Sequence, residues 1–190
     1  MNAKARDQIR QECWDRALEA FGTGYIFEKR GNKLRYQLRI LTFLGIVVPL
    51  IAGAIVLAFG KVALSPFLLI PAGILGIIQV VGSLWSLVAR WDDAYSYAIE
   101  SLNSNYRLSS KYQRLAENPS EASPELQIQV NLLDREDEFR SAEDYKQAIS
   151  EKEKRKGMRA ALRKFKRQCA GCGQVPTSME STDCSICGQF

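Results

Sequence analysis

Histidine is absent from the 190 residues of this chain. Its absence removes the side chain that most often serves as a general base near neutral pH, and also the commonest neutral metal ligand. The sequence also has no glycine-rich loop that would bind a nucleotide phosphate, and no set of side chains spaced for nucleophilic catalysis. These absences predict that the protein is not an enzyme.

Charged residues are missing from two long stretches, residues 40–60 and 62–89, which Lys61 separates. As α-helices these stretches would be about 31 and 42 Å long. The hydrocarbon core of a bilayer is ~30 Å thick, and soluble core helices usually keep a polar face. We therefore expect a hairpin of two transmembrane helices with a tight turn at Gly60 and Lys61, in preference to a buried hairpin in a soluble protein.

Lysine and arginine flank these stretches mainly on one side. Five cations lie between Lys29 and Arg39, and Arg90 follows the second stretch, whereas the turn carries only Lys61. Cations near the ends of membrane spans stay on the cytoplasmic side. The pattern predicts contact with membrane lipid and both termini in the cytosol, where cysteines are thiols or metal ligands rather than disulfides.

Small and polar residues form a stripe along the second apolar stretch. They recur every three or four residues, so they share one helical face. Two interpretations are open: close packing between helices, or the lining of a water-filled pore in an oligomer. The amide of Gln79 bears on this choice because it needs a partner or water inside a bilayer. The stripe consists of Ala72, Gly76, Gln79, Ser83, Ser86 and Arg90.

Residues 1–39 predict an amphipathic helix followed by a basic juxtamembrane segment. Gly22, Thr23 and Gly24 should end or bend that helix. Its narrow apolar stripe favours packing on a cytoplasmic helical bundle over lying flat in the membrane interface.

Residues 90–117 predict a long helix that continues the second span without a break, since no glycine or proline follows Gly82 before Pro119. Asn105 lies in its heptad-like seam. The seam would either join subunits or pack within one subunit.

Residues 118–168 predict a proline-containing turn and a return helix whose charge reverses along its length. Residues 117–144 carry nine acids and two arginines, and residues 151–168 carry nine bases and two glutamates. Such runs usually form solvated faces or pair with neighbouring helices. Alternatively, the basic arm contacts anionic lipid headgroups. Nucleic acid is the least expected partner, because Phe165 is the arm's one aromatic residue. The arm consists of Lys152, Lys154, Arg155, Lys156, Arg159, Arg163, Lys164, Lys166 and Arg167.

Two C-x-x-C pairs, each followed by glycine, lie in residues 169–190: Cys169 with Cys172, and Cys184 with Cys187. Eleven residues separate the pairs, a pattern typical of a tetrahedral zinc site. Since histidine is absent, all four ligands would be thiolates, and the role of a closed site of this kind would be structural or partner-binding. This segment has almost no core of its own, so Zn²⁺ would supply its folding free energy.

The order of elements around the hairpin, including the exit of the second span through Arg90 and Trp91, resembles the SLATT family. These are two-transmembrane proteins found beside nucleotide-second-messenger synthases in bacterial conflict systems. The tail Cys169-x2-Cys172-x11-Cys184-x2-Cys187 resembles a subgroup found on mobile elements.

The resemblance implies an effector of antiphage defence in the bacterial inner membrane. Such a protein would oligomerise and form a pore or disrupt the membrane when a synthase or sensor protein of the same system detects infection. The alternative is a membrane-tethered adaptor that presents the zinc module to a protein or nucleic-acid partner. In either case we expect an all-α membrane protein with a two-span hairpin, a cytoplasmic bundle and a small zinc knuckle at residues 169–190.

Overall fold

The computed structural model describes residues 3–59, 66–117 and 124–190. Across these ranges the chain forms five α-helices and no strand, as the all-α prediction requires. The helices are α1 Ala3–Phe59, α2 Pro66–Val88, α3 Trp91–Glu117, α4 Pro124–Tyr145 and α5 Glu151–Phe165. The predicted turn at Gly60 and Lys61, and residues 118–123 of the proline-containing turn, lie outside the described ranges.

The chain forms two compact units. We call Met1–Lys29 together with Ala98–Phe190 the bundle, and Arg30–Tyr97 the hairpin unit. Helix α1 contributes its first part to the bundle and its second part to the hairpin unit.

Helix α1 continues through Gly22 and Gly24, so the predicted helix end at these glycines is wrong. Both glycines lie where another side chain or backbone comes close. A Cβ on Gly24 would lie 2.6 Å from Cδ1 of Tyr106, and one on Gly22 would lie 3.2 Å from the carbonyl oxygen of Gly157. A glycine inside a helix costs only about 1 kcal/mol, and here it allows α3 and α5 to approach α1.

Two helices that the sequence predicted as continuous are broken. Helix α2 ends at Val88 and α3 begins at Trp91, because Arg90 between them has a left-handed backbone with φ of 51°. The return helix is also interrupted, by residues 146–150, and a new helix starts after Ser150. That start is fixed by a capping box in which Ser150 and Glu153 each bond the other's backbone N–H.

Two apolar clusters hold the bundle together. The first joins α1, α3 and α4 and contains Cys13, Ala17, Tyr112, Ala116 and Val130. The second joins α1, α5 and the cysteine segment and contains Leu18, Ala161, Leu162, Cys169 and Cys187. The apolar stripe of the N-terminal helix therefore packs within the bundle. This is the interpretation that the narrow width of the stripe favoured in the sequence.

A buried polar network connects α3 with α4. Asn105 Nδ2 donates to Asp144 Oδ2 at 2.8 Å and to the Ser101 carbonyl oxygen at 3.0 Å. Ser101 Oγ donates to the other carboxylate oxygen of Asp144, which also pairs with Arg140 at 2.8 Å. Asn105 thus fixes how two helices of one subunit pack, which is the second of the two roles considered for the α3 seam.

The hairpin unit carries a largely apolar and exposed surface. Leu50, Leu57 and Val88 are 68%, 88% and 76% exposed. In the described part of the chain, α1 is long and apolar enough to cross a membrane, and a second candidate arises if Gly73–Val88 and Trp91–Glu117 count as one bent span. Membrane insertion and the two-span topology remain predictions.

Candidate metal centre

The four cysteines of the two C-x-x-C pairs come together at one point. All four Sγ atoms lie within 4.8 Å of one another. Sγ of Cys169 lies 3.8 Å from that of Cys184, and Sγ of Cys172 lies 3.9 Å from that of Cys187. Zinc–sulfur bonds of ~2.3 Å at tetrahedral angles separate neighbouring sulfurs by about 3.8 Å. The four thiols therefore fit a single tetrahedral metal ion.

The two cysteine pairs have the same backbone hydrogen bond but use their glycines differently. Gly173 N–H donates to the Cys169 carbonyl at 2.8 Å, and Gly188 N–H donates to the Cys184 carbonyl at 2.9 Å. Gly173 has φ of 68°, a conformation that favours glycine. Gly188 is instead required for space, because a Cβ there would lie 2.2 Å from the carbonyl oxygen of Thr182.

The cysteine segment shares its core with the helices. Cys169 and Cys187 are each 1% exposed and pack with Leu18 of α1 and Leu162 of α5, whereas Cys172 is exposed. The apolar residues that the segment itself lacks are supplied by α1 and α5.

Arg159, which the sequence analysis placed in the basic arm, joins α5 to the metal centre. Its side chain is buried, and Nε donates to the Ser178 carbonyl at 2.8 Å. Nη1 donates to the Cys187 carbonyl at 3.2 Å and lies 3.9 Å from Cys187 Sγ. Four thiolates around a divalent cation carry excess negative charge, which a guanidinium beside one sulfur offsets.

The thiols differ in acidity. Hydrogen bonds from the N–H groups of Cys187 and Ile186 lower the pKa of Cys184 to about 6. Burial raises the pKa of Cys187 to about 12. The cluster therefore holds a proton more tightly at Cys187 than at Cys184. A metal ion that binds all four sulfurs displaces the proton of Cys187.

The rest of the basic arm divides between paired and exposed cations. Arg155 Nη1 donates to the Gln189 carbonyl at 3.1 Å, Lys156 Nζ lies 5.2 Å from the centre of the Phe190 ring, and Lys154 pairs with Glu151 at 2.7 Å. Arg167 pairs with Asp15 of α1. The remaining four arm residues are exposed: Lys152, Arg163, Lys164 and Lys166.

Acids of α4 pair with residues of α3, and Asp144 also pairs with Arg140 on α4 itself. Glu136 accepts from Lys111 at 2.5 Å and from Arg107 at 3.3 Å, and Asp134 accepts from the Tyr112 hydroxyl at 2.8 Å. These partners of Glu136 and Asp134 lie on α3 rather than in the basic arm.

Within the hairpin unit, Gln79 lies between α1 and α2. With its amide oriented to satisfy both atoms, Nε2 donates to the Leu44 carbonyl and Oε1 accepts from Gly45 N–H, both at 3.2 Å. A Cβ on Gly82 would lie 3.4 Å from Leu41, so the two helices run side by side in opposite directions.

The other stripe residues lie in different environments. Ser86 is buried, Gly76 is half-buried and Ser83 is exposed, and the structure describes nothing of the Ala72 side chain. Arg90 does not continue the helical face, because it ends the helix and pairs with Asp93 at 2.7 Å.

A family model described as "Mobilome CxxCx(11)CxxC protein" matches residues 10–190. The match covers both cysteine pairs and most of every described helix. No curated protein and no solved structure gives a significant match to the chain.

Proposed function

We propose that this chain, which belongs to the mobilome CxxCx(11)CxxC family, is a membrane effector of a bacterial conflict system. Its apolar helices would lie in the inner membrane with both termini in the cytosol. On oligomerisation, triggered by a sensor or second-messenger synthase of the same system, these helices would form a pore or disrupt the bilayer. The bundle would hold a structural zinc ion.

The observation that carries this proposal is the exposed apolar surface of the hairpin unit. Leu50, Leu57 and Leu87 are 68%, 88% and 71% exposed, and they belong to a longer series of exposed apolar residues on α1 and α2. A continuous apolar surface of this kind needs lipid or a partner to cover it. The likeness in layout to the SLATT family supports lipid as the cover and membrane damage as the outcome.

The cysteine cluster supports a structural role for the metal. Four thiolate ligands fill the tetrahedral shell of zinc and leave no open position for water or substrate. The burial of Cys169 and Cys187 against α1 and α5 supports the same role. Zinc is the ion that this donor set favours in a protein without histidine ligands.

A second function, that of a non-conducting membrane-tethered adaptor, is favoured by Gln79. Its amide is satisfied by the backbone of α1 at Leu44 and Gly45, which is how a polar residue joins two helices in a membrane. In the effector, this contact would have to open so that Gln79, like the exposed Ser83, faces water in the oligomer.

Induced expression with a membrane-potential dye tests the two functions. The effector predicts depolarisation by the wild-type protein, and loss of that effect in Gln79→Leu/Ser83→Leu at an equal amount in the membrane fraction. Leucine side chains at these positions would exclude water from the pore. Val81→Leu, at an exposed apolar position of the same helix, is the matched control and should depolarise like the wild type.

An intact potential with wild-type protein in the membrane fraction would leave the adaptor as the function. Recovery of the full chain in the aqueous fraction would contradict both.

A further inference from the structure

A groove of about 540 Å³ lies in the bundle between α1, α5 and the loop that joins the two cysteine pairs. Its walls come from three parts of the chain that are distant in sequence. They are Phe21, Tyr25, Lys29, Ala160, Arg163, Lys164 and Met179.

The charge of this groove has one sign. Lys29 on α1 and Arg163 and Lys164 on α5 line it, all three are exposed, and no acidic residue is among the lining side chains of the described chain. The acid next to Lys29 in sequence, Glu28, accepts a hydrogen bond of 2.6 Å from the Tyr106 hydroxyl. Three cations that line one groove without an acid favour an anionic ligand with several oxygen atoms.

The rest of the groove is aromatic and apolar. The Phe21 ring stacks on Tyr106 with 5.1 Å between ring centres and contacts Phe165 edge-on at 5.8 Å, so its position is fixed. Lys29 Nζ lies 5.0 Å from the centre of the Tyr25 ring. A flat or apolar group could pack on these rings while its anionic end meets the cations.

Two simpler explanations account for only part of this arrangement. Arg163 and Lys164 lie in the last turn of α5, where cations stabilise a helix by interacting with its dipole. That effect does not explain why Lys29 of a different helix lines the same groove. Solubility would explain exposed cations anywhere on the surface, but not their placement beside two aromatic rings.

From these observations we propose that the groove binds a phosphorylated molecule, with its phosphate at Lys29, Arg163 and Lys164 and a flat or apolar portion against Phe21 and Tyr25. This site does not depend on whether the hairpin unit conducts ions. Met179 lies in the loop between the two cysteine pairs. The metal centre therefore fixes both ends of the loop that forms the third wall of the groove.

Isothermal titration of the full, zinc-loaded chain in phosphatidylcholine nanodiscs tests the site, with phenyl phosphate and inorganic phosphate as probes. We expect saturable binding of both, with phenyl phosphate tighter because its ring packs on the aromatic wall. Arg163→Gln/Lys164→Gln should weaken phenyl phosphate at least tenfold, and Tyr25→Ser should remove the advantage of phenyl phosphate over inorganic phosphate.

Lys152→Gln is the matched control, since Lys152 is an exposed cation on α5 outside the groove. Equal weakening by this variant would mean diffuse attraction and would overturn the proposal, as would the absence of saturable binding to the wild type. Displacement of both probes in phosphatidylglycerol nanodiscs would identify a lipid headgroup as the source of the phosphate, whereas unchanged binding there would identify a soluble phosphorylated molecule.

Discussion

Gly157 of α5 meets Gly22 of α1 with no side chain between the two backbones. A Cβ on Gly157 would lie 2.6 Å from the Gly22 carbonyl oxygen and 3.0 Å from two side-chain carbons of Ile26. This contact sets the distance between α1 and α5, and both helices contribute to the apolar cluster that contains Cys169 and Cys187. The position of the metal centre in the bundle therefore depends on two glycines far apart in sequence.

Gly157→Ala is expected to lower the free energy of unfolding by about 1–2 kcal/mol. Overpacking a tight contact costs about 1–3 kcal/mol, and the cost should lie in the upper part of this range because the new Cβ would meet a backbone oxygen. The gain in helix propensity of about 1 kcal/mol offsets part of it. Gly22→Ala is the matched control from the other side of the contact, where the new Cβ is 3.2 Å from the nearest atom, and should cost less. Urea unfolding in detergent, followed by circular dichroism, measures both. A Gly157→Ala protein as stable as the wild type would contradict the close contact.

The metal ligands could be predicted from the sequence because two C-x-x-C pairs encode their geometry locally. The contacts of Gly22 and Gly24 could not, because a glycine that ends a helix and one that admits a neighbouring helix look the same in a single chain. The break at Arg90 was missed for a related reason. Its left-handed backbone, with φ of 51°, is adopted without a glycine or proline to signal it.

Asp144→Ala is expected to destabilise the bundle by about 3 kcal/mol. The substitution removes the carboxylate that accepts from Ser101, Asn105 and Arg140, and breaking a buried ion pair from one side typically costs about 3–5 kcal/mol. Glu100 still pairs with Arg140 at 3.0 Å, which places the expected value at the lower end.

Glu143→Ala, one position earlier, removes a largely exposed pair with Lys146 and should cost less than about 1 kcal/mol. Urea unfolding of the two variants gives the comparison. Equal effects would show that the buried network does not hold α3 against α4.

Alkaline pH is expected to unfold the bundle through Tyr112. Burial and the hydrogen bond to Asp134 raise the pKa of Tyr112 above its ordinary value of 10.0, so the folded state keeps a proton that the unfolded state releases. The contribution to stability is fully present below about pH 10 and is lost as the pH rises towards the folded pKa. The part of the tyrosinate absorbance that comes from Tyr112 should therefore appear only together with unfolding.

Tyr112→Phe tests this pH dependence. Because the variant lacks the hydrogen bond to Asp134, its free energy of unfolding should be about 1 kcal/mol lower at neutral pH. Its stability should decline less steeply above about pH 10. Tyr145→Phe, at a tyrosine that is 86% exposed, should leave the decline unchanged. If Tyr112→Phe keeps the wild-type slope, another group controls alkaline unfolding.

One zinc ion per chain is expected, bound by four cysteines. Cobalt substitution should give thiolate-to-metal charge-transfer absorption at one equivalent, and Cys172→Ser or Cys184→Ser should weaken binding. Cys13→Ala is the matched control, since Cys13 lies in the other apolar cluster and burial raises its pKa to about 11. Half an equivalent of metal would instead indicate an ion shared between two chains.

Arg159→Met is expected to weaken zinc binding by about 10- to 100-fold, the usual effect of losing a group that supports a metal ligand. The guanidinium holds the loop at Ser178 through Nε and contacts the carbonyl and Sγ of Cys187 through Nη1. Arg159→Lys should recover only part of the affinity, because an ammonium group cannot make this forked set of contacts. Competition with a chromophoric chelator measures the affinity.

The charge-transfer band of the cobalt form should shift in Arg159→Met, because the sulfur of Cys187 loses a neighbouring positive charge. Arg163→Met, one turn further along α5 and exposed, should change neither the affinity nor the band. A band that stays in place while affinity falls would limit Arg159 to holding the loop.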